Sequence, residues 1–273
     1  MHYQEYNTHP DLASIVKCYW TLEVPAQPDA GRQLVLPDGC IEMFFILGDD
    51  IKRFTNGDDY LLQPRQMVLG QITQPFYIAP TGAVHTFAIR FYPYGFANFI
   101  KKPISELANT ETPLQDVFGE AAANTITQAI SQATDTQARI TAIETFLLAL
   151  LQQQTTVDKI VASTVEKIIQ SGGSTPIREL MNDDKAKRRQ LERHFRKHIG
   201  ISPKQLCKVI RLQATLQMLL DQRTASFTSV AYENEYFDQA HFIKDFKEFT
   251  GVTPGEFLTA DEMALSSLLY HKK

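Results

Sequence analysis

The C-terminal part of the chain repeats itself at a fixed offset of 51 residues, and this duplication constrains the fold more than any other feature. Leu191 corresponds to Phe242, Arg193 to Lys244, Phe195 to Phe246, Arg196 to Lys247, Gly200 to Gly251, Ile201 to Val252, Ser202 to Thr253, Pro203 to Pro254 and Leu206 to Phe257. Both copies carry the same local instructions. Apolar residues four apart mark a helix with one buried stripe. A glycine able to take the left-handed conformation then ends that helix, and a Ser/Thr cap followed by proline at the first helical position starts the next.

Upstream of each copy a shorter helix is expected. Thr175-Pro176 starts one that contains Ile177 and Leu180, and Ser226 or Thr228 starts another with Val230 and Ala231. Asp184 and Asp238 are the expected caps of the longer helices that follow. A short helix, a turn and a longer helix, written twice, is the plan of two helix-turn-helix units. The connecting helix, about 203–220, would be roughly 27 Å long at 1.5 Å per residue. That length can hold two reading helices about one duplex turn, near 34 Å, apart.

Charge follows the same division. The net charge of -4 is the sum of two unlike halves: residues 1–156 hold 9 Lys/Arg against 16 Asp/Glu, and residues 157–273 hold 18 against 15. Within the second half, residues 185–211 carry ten basic side chains and one acid, Glu192. A cationic segment inside a duplicated helical unit points to a phosphate backbone as partner.

The residues that carry these patterns resemble the AraC/XylS family of bacterial regulators over about residues 157–260. They are Arg189, Leu191, Arg193, Phe195, Gly200 and Pro203 in the first unit, and Ala231, Phe237, Asp238, Gln239, Phe242, Phe246, Lys247, Gly251, Thr253 and Pro254 in the second. The resemblance implies an all-α, seven-helix, double helix-turn-helix domain that binds double-stranded DNA. Three positions depart from the family pattern: Lys185 and Tyr236 stand where it usually has a turn glycine, and Lys187 stands where serine is common.

On the first long helix, Arg189, Glu192, Arg193 and Arg196 share one face beside the apolar stripe of Leu191 and Phe195. Arginine can bond guanine O6 and N7 together and a carboxylate can accept from cytosine N4, so Arg189, Glu192 and Arg193 are candidate base contacts. Lys187, Arg188 and Arg196 are candidate phosphate contacts. In the second unit the expected reading face is Gln239, Ala240, Ile243 and Lys244, with His241 alongside and Phe242, Phe246 and Phe249 as core. There Gln239 and Lys244 are candidate base contacts, and His241 and Lys247 candidate phosphate contacts. Asp245 and Glu248 would repel DNA if they faced it, which predicts that the first unit carries more of the specificity. His194 and His198, four apart, lack an acidic or thiol partner at ligand spacing, so no metal is expected.

Residues 1–95 read as a mainly antiparallel β unit, with β-prone stretches at 15–24, 40–47, 66–69, 76–78 and 85–92. Helical patterns follow at 96–100, 104–107, 121–133 and 137–153, the last with Ile140, Ile143, Glu144, Leu147, Leu148 and Leu151 on one stripe. Tyr19-Trp20, Pro37-Asp38-Gly39-Cys40 and Arg90-Phe91-Tyr92-Pro93 make this part similar to a less-characterised domain fused to AraC-type modules. That similarity implies a barrel-like β unit with a sensing or dimerising role. Asp38, Glu42, His85 and Arg90 are the candidate polar groups of its pocket, and Trp20, Phe44, Phe76 and Phe91 its apolar wall.

The whole is therefore expected to be α+β. A sensing and dimerisation domain spans 1–155 (β unit about 1–95, helical part about 96–155), a DNA-binding domain 156–260, and a tail 261–273. Three cysteines without a CxxC, the lack of a signal-like start and the lack of an 18-residue apolar run predict a reduced, cytoplasmic protein away from membranes. No phosphate loop, HExxH or GxSxG is present, so neither enzyme chemistry nor a cofactor is expected. The partners read from the sequence are double-stranded DNA, a small-molecule effector, a second copy in a homodimer and, for an activator, RNA polymerase. The competing reading is a helical protein-binding adaptor that has lost DNA binding.

Overall fold

The computed structural model describes residues 1–28, 30–151, 159–176, 185–220, 227–234, 236 and 238–259. The expected helix over Ile177 and Leu180, the Asp184 cap, Ser226, Phe237 and the tail lie outside them.

Among the described residues, ten strands form two antiparallel sheets. The larger has the order β1 (His2–Tyr6), β2 (Val16–Val24), β9 (Val84–Phe91), β4 (Ile41–Ile46), β7 (Gln66–Leu69), β10 (Glu111–Pro113). The smaller has the order β3 (Gln33–Val35), β8 (Phe76–Pro80), β5 (Ile51–Phe54), β6 (Tyr60–Leu62). The expected barrel-like unit is corrected to two open sheets, since β1, β10, β3 and β6 each end a sheet with one pairing among the described residues.

Strand alternation assigns the faces. In the large sheet, Tyr19, Ile41, Met43, Phe45, Phe87, Ile89 and Phe91 point into a buried core shared with the helices that follow. These helices are α1 (Leu114–Phe118), α2 (Glu120–Gln132) and α3 (Thr136–Leu151), and α2 and α3 contribute Ile126, Ile130, Ile140, Ile143 and Leu147. The stripe on α3 thus packs on the β unit. The stretches 96–100 and 104–107 are single 3-10 turns, Phe96–Asn98 and Ile104–Glu106, too short to propagate as α-helix. The opposite face of the large sheet carries Trp20, Leu22, Glu42, Phe44, Thr86 and Arg90 and meets the small sheet across a cavity.

The C-terminal part contains α4 (Lys159–Gln170), α5 (Lys185–His198), α6 (Pro203–Leu220), α7 (Phe227–Glu233), α8 (Gln239–Thr250) and α9 (Pro254–Phe257). Six of the seven expected helices lie among the described residues, and none of these helices is long and apolar enough to cross a membrane. The duplicated signals act as the sequence requires. Gly200 and Gly251 adopt φ of 95° and 77°. Ser202 and Gln205 cap each other's backbone, and Thr253 and Glu256 form a capping box at α9.

Helix α6 serves two cores. Its first turns place Leu206 and Cys207 against Leu191, Phe195 and Val165 of the first unit. Its later turns place Val209, Leu212, Leu216 and Leu219 against Phe242, Phe246 and Phe257 of the second. Leu34 and Leu36 from the N-terminal half belong to this second core as well. On β3 the neighbours Leu34 and Val35 therefore face opposite ways, one into the helical core and one into the cavity between the sheets.

Candidate nucleic-acid interface and internal cavity

Helix α5 buries Leu191 and Phe195 and exposes Lys187, Arg188, Arg189, Arg193 and Arg196, which separates an apolar packing face from a basic solvent face. Glu192 is half-buried, with Oε1 3.3 Å from Arg188 Nε. This i,i+4 pair means that Glu192 must leave Arg188, or share it, to accept from a base. Lys185 is the first residue of α5, helical where the family pattern has a turn glycine. The His194 and His198 rings lie edge to face with centroids 6.3 Å apart.

Helix α8 starts at Asp238, whose carboxylate accepts from the His241 backbone N–H at 2.7 Å. Gln239, Ala240, His241, Lys244 and Lys247 are exposed. Ile243 is not part of that face; it is half-buried and packs on the core with Phe242 and Phe246. Gln239 Oε1 accepts from Thr228 Oγ1 at 2.9 Å, which ties the start of α8 to α7.

The two acids of α8 have a partner that the local sequence does not reveal. Lys208, on α6, donates to Glu248 at 3.0 Å and to buried Asp245 at 3.4 Å, while His241 lies 3.8 Å from Asp245. Burial acts to lower the Lys208 ammonium, but its hydrogen bonds to Glu248 and Asp245 outweigh that and hold it above the ordinary lysine value. Tyr236, the other position without a turn glycine, is buried against Phe242 with ring centroids 5.4 Å apart, and the Arg211 guanidinium sits 5.3 Å from its ring. Its side chain fills the core where glycine would leave a gap.

The N-terminal cavity, of about 170 Å³, lies between the sheets. Trp20, Asp38, Glu42, Phe44, Phe76 and Arg90 line it as anticipated. Phe91 and His85 do not. Both stand an odd number of residues from Arg90 along β9, so the strand turns them to the other face; Phe91 joins Phe96 and Phe99 in the outer core, and His85 lies 3.9 Å from Glu23 at the rim. The same alternation, followed from Glu42 and Arg90, leads to Cys40, Ile46, Thr86 and Val84, which also line the cavity.

An ionic cluster closes one end. Arg90 is 5% and Glu42 8% exposed, and Arg90 Nε donates to Glu42 Oε1 at 2.6 Å. The same Glu42 oxygen accepts from Trp20 Nε1 at 3.0 Å, and Asp38 Oδ2 lies 3.6 Å from Arg90 Nε. Burial pushes the Glu42 carboxyl above the usual carboxylate range, against the pull of Arg90.

Asp38 belongs to the turn 36–40, which is held by one hydrogen bond of its own and two from outside. Its carboxylate accepts from Cys40 N at 2.9 Å, Gln71 Nε2 donates to the Gly39 carbonyl at 2.7 Å, and Gln213 of α6 donates to the Pro37 carbonyl at 2.6 Å. Gly39 has φ of 77°, and a Cβ built there would sit 3.3 Å from both Ile210 and Leu206 of α6. The turn that carries part of the cavity wall is thus also the seat of the helix between the two reading units.

Comparison with known proteins matches both halves. A family model described as a helix-turn-helix domain matches residues 185–260, and one described as a domain of unknown function (DUF6597) matches residues 4–113. An uncharacterized HTH-type transcriptional regulator of Haemophilus influenzae is 37% identical over 65 residues, 24% of this chain; the match spans 22% of that protein's length. Among solved structures, ToxT from Vibrio cholerae is 10% identical with a TM-score of 0.49, covering 97% of this chain and 100% of that one. Wild-type ToxT bound to an unsaturated fatty acid is 13% identical with a TM-score of 0.45, covering 87% and 93%.

Proposed function

We propose that this chain, which carries a helix-turn-helix domain of the AraC type behind a domain of unknown function, is a DNA-binding transcription regulator governed by a small molecule in its N-terminal half. The observation that carries the first part is the pair of helices α5 and α8, anchored on opposite stretches of α6 with basic stripes left in solvent. Arg189 and Arg193 read bases in the first unit, and Gln239 and Lys244 in the second. Glu192 reads with them once it parts from Arg188. Lys187, Arg188, Arg196, His241 and Lys247 hold phosphates. Asp245 and Glu248, turned toward Lys208, do not oppose the backbone.

The regulatory part rests on turn 36–40. A molecule in the cavity meets Leu36 and Asp38, and any change there reaches α6 through the Pro37 carbonyl and Gly39. Coupling between two such sites is commonly worth about 1–3 kcal/mol, enough to switch occupancy of an operator. A protein-binding adaptor is the weaker reading, because neither feature that would spoil DNA contact does so. The second unit's acids pair with Lys208, while Lys185 begins a helix and Tyr236 fills a core position.

Selection of binding sites from random duplex DNA with the full chain tests the reading. Two half-motifs about ten base pairs apart are expected, bound with a steep loss of affinity as salt rises. Salt-insensitive binding without a shared motif would sink it.

A further inference from the structure

We infer that the cavity takes a small, mainly apolar molecule about the size of one aromatic ring that carries a single protonated amine, with the ammonium seated at Glu42 and Asp38. This rests on the reading of the cavity as the seat of the effector and deepens it by naming the ligand's chemistry.

Size comes first. The cavity of about 170 Å³ is close to the ~150 Å³ apolar cavity that holds one benzene. Trp20, Phe44, Phe76, Leu69 and Ile78 supply an apolar and aromatic wall, which suits a ring or a short branched chain and leaves room for one small head group.

Charge then selects the head. Arg90 lines the cavity with its guanidinium engaged at two nitrogens: Nε donates to Glu42 with Asp38 3.6 Å away, and Nη1 lies within 3.5 Å of the Tyr3 hydroxyl and 3.7 Å of Glu5. Lys17, exposed on the bulge of β2, adds a second positive charge from outside. Against these two stand three carboxylates, Glu5, Asp38 and Glu42, of which the last two line the cavity. An anionic ligand would enter beside two carboxylates of the lining, Asp38 and Glu42, the latter buried and paired with Arg90 at 2.6 Å. A cation instead meets both carboxylates and offsets the burial that raises the Glu42 carboxyl.

The test uses the full-length chain and three probes of one shape, benzylamine, benzyl alcohol and benzoate, read by thermal shift and calorimetry. Benzylamine is expected to bind at least about tenfold more tightly than either of the others, as a charge-assisted hydrogen bond requires. Glu42→Gln should reduce that preference to less than about threefold, the buried one of the two seating charges being gone and the shape kept. Should that variant not fold, the ranking on the unaltered chain still decides the class. Ile78→Phe fills the cavity without touching its charges and should abolish binding of every probe. If benzyl alcohol or benzoate equals benzylamine and Ile78→Phe removes both, the amine assignment is wrong while the cavity remains a small-molecule seat. If binding survives Ile78→Phe, or no probe binds, the seat itself is wrong and the ligand assignment goes with it.

Discussion

Gln213, on the helix that joins the two reading units, donates its side-chain amide to the carbonyl of Pro37, 176 residues earlier, at 2.6 Å. One hydrogen bond thus spans the N-terminal half and the helix-turn-helix half at the turn that walls the cavity. Gln213→Ala leaves the Pro37 carbonyl short of a partner, and a net loss of about 0.5–1.5 kcal/mol in stability is expected. The larger effect should fall on communication. Operator affinity measured by fluorescence anisotropy with and without a cavity ligand should differ less in the variant than in the unaltered chain; an identical response would remove Gln213 from the route.

Lys208 pairs with buried Asp245 and with exposed Glu248 of α8. Lys208→Met strands a buried carboxylate and is expected to cost about 1–3 kcal/mol, less than for a fully buried pair because a charge partly in water is screened. Its pH behaviour has a definite sign. The ammonium is stabilised in the folded chain, so its contribution is complete below the ordinary value of 10.5 and is lost as pH rises through the higher folded value. Urea denaturation at pH 7 and above pH 10.5 checks both effects, and equal stability of the two proteins at pH 7 would refute them.

Arg193 and Arg188 are both exposed on α5 but should fail differently. Arg193→Ala is expected to cost about 1–3 kcal/mol on a selected operator and to relax preference at one position. Arg188→Ala should weaken all sequences alike and reduce the slope of log affinity against log salt by about one. Folding stability should barely move in either case. A uniform loss from Arg193→Ala would reassign it to the phosphates.

Acid should loosen the second copy's final cap. Hydrogen bonds from the Thr253 backbone N–H and hydroxyl hold the Glu256 carboxyl below its ordinary value of 4.5. The cap's contribution is therefore present above pH 4.5 and lost as pH falls through the lower folded value. In NMR titrations the Thr253 and Glu256 amides should shift together below pH 4.5, and Glu256→Gln should abolish that step. Independent titration of the two amides would dissociate the cap from the carboxylate.

Local physics was legible in the sequence and long-range pairing was not. Gly200, Gly251, Ser202-Pro203, Thr253-Pro254 and Asp238 do what their chemistry dictates within four or five residues, so the repeat located the longer helix of each unit and the helix that follows it. The wall of the cavity was legible wherever residue type agreed with strand period, as at Trp20, Glu42, Phe44 and Arg90. At Phe91 and His85 the chemistry suits a pocket, but the period of β9 turns both side chains away from it. Short strands such as β3 and β6, three residues each, offer too few alternations to announce themselves. The pairing of Lys208 with residues 37 and 40 positions later, and of Gln213 with Pro37, follows from how the helices and sheets dock, which no local pattern encodes.

Strand β3 shows what that docking entails. Because Leu34 and Val35 are chain neighbours with opposite outlooks, the partition between the cavity and the helical core is a single peptide strand thick. A genetic screen for effector-blind mutants and one for promoter-blind mutants should therefore converge on the same few codons there. Swapping the N-terminal half for that of another regulator would need β3 and the turn after it to travel together with α6.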